Sequence, residues 1–198
     1  MKNILNNTKK GFLIVTLFTS LLSFANEASF TSIKDDAKKT ALTLTDVKAG
    51  NKLSIKDANG IVLYSEQIEK AGIYTKGFDF TSLPDGDYVF ELDKDIEIKT
   101  IPFTISFKSI VVNKEKETTS YKPYIVQKNN LLYITKLSPN SEAVKISVYS
   151  NANNEYELLH AESITDVQAI ERVYKLEKGS YKIVISSDNK EYTKFINN

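Results

Sequence analysis

SLPDGDYVFELD, from Ser82 to Asp93, and KLEKGSYKIVIS, from Lys175 to Ser186, state one phrase twice: a glycine turn, a tyrosine two residues on, and an alternating strand. In the first copy Pro84 fixes φ and Gly86 frees it, as a tight reversal requires. Tyr88, Phe90 and Leu92 then fall on one face while Val89, Glu91 and Asp93 fall on the other, which is the pattern of a half-buried strand. The copies lie ninety-three positions apart, and Leu53-Ser54-Ile55 matches Ile146-Ser147-Val148 at the same spacing. A shared period of this kind predicts an internal duplication.

Working outward, both halves read as short strands separated by turn signals. Asn59-Gly60, between KLSIKD and IVLYSE, predicts a two-residue hairpin in which both central residues take φ > 0. The segment 113–120 (NKEKETTS) is charged and without an apolar residue, the composition of a solvated linker. No stretch sustains helical periodicity, although 32–39 and 164–170 could each hold one helical turn. The expected fold class is all-β: two tandem immunoglobulin-like antiparallel β-sandwiches, at 26–112 and 121–198, joined through 113–120.

The N-terminus carries a different signal. Lys2, Lys9 and Lys10 precede the apolar run GFLIVTLFTSLLSFA, which ends in the small-x-small pattern Ser23-Phe24-Ala25. That is the make-up of a secretory signal peptide over residues 1–25, too short for the roughly 20 residues of a spanning helix. The expected mature chain is exported, with no transmembrane segment, to the periplasm, cell surface or exterior.

Composition then excludes several chemistries. Removing the three signal lysines turns 26 basic residues against 25 acidic ones into a slight acidic excess, and Arg172 is the only arginine. A nucleic-acid partner would need a clustered basic excess, so none is expected. With no cysteine, each domain must stand on its apolar core without disulfides, and thiol catalysis and cysteine metal sites are unavailable. His160 is the only histidine, so neither a histidine triad nor a multi-histidine metal site can be built within one chain. No cofactor is expected.

The stretch IKDANGIVLYSEQI, followed by FDFTSLPDGDYVFEL, resembles the small immunoglobulin-like domains of secreted Bacteroidetes proteins. One branch is a secreted domain of unknown function; another, similar in pattern, is the C-terminal sorting domain of type IX secretion. Asp57, Gly60, Leu83, Pro84, Gly86 and Tyr88 carry the match in the first copy, and Leu176, Gly179 and Tyr181 in the second. The resemblance implies a β-sandwich and transfers no active site.

Candidate functional residues follow from the aromatics. Six phenylalanines and three tyrosines lie in the first half after the signal, one phenylalanine and eight tyrosines in the second. Phenylalanine suits a dry core, whereas tyrosine tolerates one wet edge. Alternation turns Tyr149 outward from Ile146 and Val148, and aligning Val173 with Phe80 turns Tyr174 outward beside Arg172. With Tyr133 these form a candidate platform for a protein or glycan partner, although the absence of tryptophan weakens the sugar version. Asp85, Asp87, Glu91, Asp93, Asp95 and Glu97 crowd one turn and strand, where a weak calcium site is conceivable beside an ordinary solvated face. The expected function is a non-catalytic binding or interaction protein; the alternative is a structural or sorting module at the cell surface.

Overall fold

A computed structural model describes residues 30–198 except 37–38, 108 and 153–154. The expected signal peptide lies outside the described residues. The chain divides between Ser120 and Tyr121 into two compact units.

The first unit contains β1 (Phe30–Asp36), β2 (Lys39–Val47), β3 (Lys52–Asp57), β4 (Val62–Gln67), β5 (Gly72–Asp79), β6 (Gly86–Asp93), β7 (Glu97–Ser106), β8 (Ser109–Val112) and β9 (Thr118–Tyr121). One sheet runs β1-β2-β5 and the other β4-β3-β6-β7-β8, with β9 also pairing β7. All recorded pairings between neighbouring strands are antiparallel. The period-2 pattern of β6 delivers Tyr88, Phe90 and Leu92 to a core shared with Leu42, Leu53, Phe80 and Phe103. Phe90 and Phe103 stack there with ring centroids 4.5 Å apart.

The second unit repeats this order with β10 (Tyr124–Lys128), β11 (Leu131–Leu137), β12 (Val144–Ala152), β13 (Glu155–Ile164), β14 (Ala169–Lys175), β15 (Ser180–Ser187) and β16 (Lys190–Asn197). Its sheets are β10-β11-β14 and β13-β12-β15-β16. Leu132, Ile134, Ile146, Val148, Tyr174, Ile183 and Ile185 form its own core. Both units are immunoglobulin-like antiparallel β-sandwiches.

The duplicated phrase is a tyrosine corner. Tyr88 Oη donates to Pro84 O at 2.9 Å and Tyr181 Oη to Glu177 O at 3.0 Å, four residues back in each case. Each ring is buried and its hydroxyl is satisfied by the turn the strand has just left, which ties strand entry to the core.

Three expectations are corrected. The segment 113–120 is not a free linker: it forms a 3-10 turn (Lys114–Lys116) and most of β9, Asn113 N donates to Pro102 O at 2.9 Å, and Glu117 meets Lys99 at 3.5 Å. Its polar composition reflects a strand with one wet side. The hairpin at Asn59-Gly60 is longer than two residues. Asp57 Oδ1 accepts from Asn59 N and Ile61 N, and within the turn only Gly60 has positive φ, at 81°. Among the described residues of 32–39, positions 32–36 and 39 are strand, and 164–170 joins β13 to β14, so neither helical turn is seen there.

Candidate functional site

On β12, Ile146 and Val148 point into the core, so the alternate position, Tyr149, faces out. Register carries that position across the sheet: Tyr149 pairs with Lys182 on β15, Lys182 with Phe195 on β16, and Tyr149 with Leu158 on β13. A bulge beside Val148 leaves Leu159 as the extra residue of β13 and brings Tyr156 to the outer face opposite Asn151. The result is an outer-face cluster of Tyr149, Tyr156, Leu158 and Phe195 around one lysine. Lys182 Nζ lies 4.6 Å from the Tyr149 ring centroid and 5.0 Å from that of Tyr156. The Tyr156 and Phe195 rings are 6.0 Å apart and tilted by 53°. Phe195 is 62% exposed and Leu158 56%. Among the described residues no carboxylate forms an ion pair with Lys182.

Of the residues expected to form the platform, only Tyr149 lies on this face. Tyr133 is half-buried on β11, paired with Val173, in the other sheet. Tyr174 is a correction: it is fully buried, because register sets it beside Leu132 and turns it inward. The ninety-three-residue spacing that aligned Val173 with Phe80 fails here because the β12–β13 hairpin is longer than its counterpart; both hairpins carry a bulge, beside Val148 and beside Ile55. Arg172 is likewise turned toward the opposite sheet.

Arg172 and Tyr174 instead close the open side of the sandwich. Arg172 Nε donates to both carboxylate oxygens of Glu162, at 3.2 and 3.0 Å, and Tyr174 Oη donates to Glu162 as well. His160 Nε2 lies 3.6 Å from Glu162 Oε1, and its ring is 5.5 Å from that of Tyr174. Burial acts to raise the Glu162 carboxyl, but the hydrogen bonds from Tyr174 and Arg172 and the Arg172 charge outweigh it and hold the group low. Burial, reinforced by Glu162, pushes the Tyr174 phenol up.

The first unit has the same device. Glu66 on β4 receives Lys76 and Tyr74 of β5 and Tyr64 of its own strand, with Tyr74 Oη at 3.1 Å. The hydrogen bonds from Lys76 and Tyr64 hold Glu66 low, while burial and Glu66 push Tyr74 up to about 12. Glutamate and cation are ten residues apart in both units. Such a bridge ties the edge strand of one sheet to the edge strand of the other.

The acidic stretch of the first unit is dispersed among local partners. Asp85 accepts from Phe107 N at 2.6 Å, Asp87 from Thr104 Oγ1 at 2.7 Å, and Glu91 from Lys56 at 2.7 Å; Glu97 pairs with Lys94 at 2.9 Å. Among the described residues no cluster of three or more His, Cys, Asp or Glu side chains could hold a metal ion. A shallow depression lined by Glu142, Ala143 and residues 186–191 lies at the β15–β16 turn. Lys136, buried, donates to Leu137 O at 3.1 Å and Ser138 Oγ at 3.2 Å; burial pushes its ammonium down against the opposing charges of Asp188 and Glu142.

Sequence reasoning missed Tyr156, Lys182 and Phe195. Phe195 was legible, since Ile196 beside it had to point inward; a preference of phenylalanine for dry cores hides it. Tyr156 could not be placed without the bulge.

No family model matches this chain, and no curated protein matches it. Among solved structures it is similar to the BSP domain of a biofilm associated protein, at 15% identity and TM-score 0.24 over 83% of this chain and 28% of that one. It is also similar to the FN1–FN3 domains of chicken CNTN1, at 9% identity and TM-score 0.26, over 85% of this chain and 63% of that one. A third likeness is the CupB2 chaperone of Pseudomonas aeruginosa, at 9% identity and TM-score 0.24, over 81% of this chain and 93% of that one. The chain thus spans less than two thirds of the first two structures.

Proposed function

We propose that the chain is an exported, non-catalytic binding module that meets its partner through the outer face of the β13-β12-β15-β16 sheet. The observation that carries this reading is the row Leu158–Tyr149–Lys182–Phe195, in which three apolar or aromatic side chains flank a lysine that has no carboxylate partner among the described residues. Aromatic side chains held by a rigid sheet supply contact area at low entropic cost, and clustered exposed apolar groups mark interaction surfaces. Export rests on the N-terminal basic-apolar pattern. No helix among the described residues is long and apolar enough to cross a membrane.

The test is co-sedimentation of the purified chain with isolated cell envelope. Wild type is expected to pellet, the double variant Tyr156→Ser, Phe195→Ser to remain soluble, and Ile73→Ser in the first unit to behave as wild type. Equal pelleting of all three would sink the reading. Envelope association that needs the second unit but not these rings would favour the sorting or anchoring alternative.

A further inference from the structure

We infer that this outer face takes an acidic polysaccharide, one whose sugar rings carry carboxylate groups; the inference rests on the reading above that the face is a binding surface. Three kinds of group are arranged side by side on it. The Tyr149, Tyr156 and Phe195 rings offer apolar faces against which the C–H face of a pyranose can pack. On the same face, the next positions along β12, β15 and β16 are Asn151, Ser180 and Asn197, neutral hydrogen-bonding groups suited to sugar hydroxyls. Asn197 Oδ1 accepts from Ser180 Oγ at 2.7 Å, which fixes the amide and aims its N–H groups elsewhere. The Lys182 ammonium stands over the Tyr149 and Tyr156 rings.

Charge selects the ligand. The positions flanking Lys182 on the other side are Ser147, Val184 and Thr193, so an anion arriving at the ammonium meets no carboxylate there. Glu191, the next acidic residue on this face of β16, lies beyond Thr193. A neutral glycan would leave the lysine unused, and a bound carboxylate would give it a charge-assisted partner. Single-stranded nucleic acid is also anionic and stacks on aromatics, but following a phosphate backbone needs several cations along the track, and this row has one. At about 4.8 Å per strand spacing the row spans roughly 14 Å, room for a short run of sugar rings.

Native electrophoresis of the full chain through gels containing polygalacturonate, or the same polymer fully methyl-esterified, tests this directly. The acid form is expected to retard the chain and the ester to retard it at least about fivefold less. Lys182→Gln should weaken retardation about tenfold and Lys182→Arg should preserve it; Tyr156→Ala and Phe195→Ala should each abolish most of it while melting with wild type. Equal retardation by acid and ester, or retardation indifferent to Tyr156→Ala, would overturn the inference. If neither polymer retards the chain yet envelope binding still requires Tyr156 and Phe195, the occupant is a protein and this inference fails alone. If envelope binding ignores those residues, both readings fail together.

Discussion

At one position in the sheet the two units part company. In the first unit, Lys56, Val89 and Pro102 form the cross-strand row on β3, β6 and β7; in the second, the row on β12, β15 and β16 is Tyr149, Lys182 and Phe195. The first row is closed off: Lys56 Nζ is 2.7 Å from Glu91 Oε1, and β8 and β9 cover the far edge of β7. In the second, Val184 stands where Glu91 stands in the first, the lysine rests on two aromatic rings, and β16 is the last strand of its sheet. One backbone lattice thus carries a neutralised surface in one copy and an open aromatic-cation surface in the other. What both units keep is scaffold: the tyrosine corner and the glutamate bridge across the open side. The difference lies in the outer row, on which the proposed binding role rests.

The largest expected effect separates the two glutamate bridges. Glu162 and Arg172 are 20% and 21% exposed at their side chains, against 32% and 35% for Glu66 and Lys76. Glu162→Ala removes the half-buried carboxylate that Arg172 and the Tyr174 hydroxyl share and should cost about 2–3 kcal/mol in the second unit. Glu66→Ala should cost less than about 1 kcal/mol in the first, where solvent screens the pair. Urea unfolding read by hydrogen exchange in each unit would check both, and equal costs would contradict the difference in enclosure.

The same bridges set the pH limits. Both glutamates are held low, so their contribution is fully present above the ordinary carboxylate value of about 4.3 and is lost as pH falls through the depressed values. Tyr74 works in the opposite sense. Its raised phenol contributes fully below the ordinary value of about 10, and that contribution is lost as pH climbs toward about 12. Glu162→Gln should remove the acid sensitivity of the second unit while leaving that of the first, as equilibrium unfolding across pH 2–6 would reveal.

Next in size is a change beside the row itself. Val184→Glu sets a carboxylate two residues from Lys182 on the same strand face and should pull Lys182 off the rings, weakening binding about tenfold, or about 1.4 kcal/mol. Glu91→Val, the reverse change in the first unit, should leave binding unaltered. Titration against envelope or polyuronate distinguishes them. Smaller still, Tyr88→Phe and Tyr181→Phe each remove one hydrogen bond from a buried corner and should cost about 1 kcal/mol, each in its own unit. A loss confined to one of the two would mean that the corners are not equivalent.

The scaffold was legible because its signals are local. Glycine two residues before tyrosine, followed by alternation, specifies the corner, and Ile146/Val148 and Leu53/Ile55 specify the strands beneath it. The charged segment 113–120 misled because an edge strand with solvent on one side has the composition of a linker. The platform was only partly legible because its members meet through register. A single bulge in β13 decides where Tyr156 points, and a break in the repeat spacing decides that Tyr174 is buried. Lys182 gave no signal of its own, for its significance lies in Val184, the residue where the other copy has its glutamate.

The most direct measurement is carbene footprinting of the full chain, free and bound to isolated cell envelope. Protection confined to Tyr149, Tyr156, Leu158, Lys182 and Phe195, with the Lys56–Val89–Pro102 row labelled equally in both states, is the expected result. Protection that falls on the first unit, or that leaves the Tyr156–Phe195 pair as accessible as before, would contradict the assignment of binding to the outer face of the second unit.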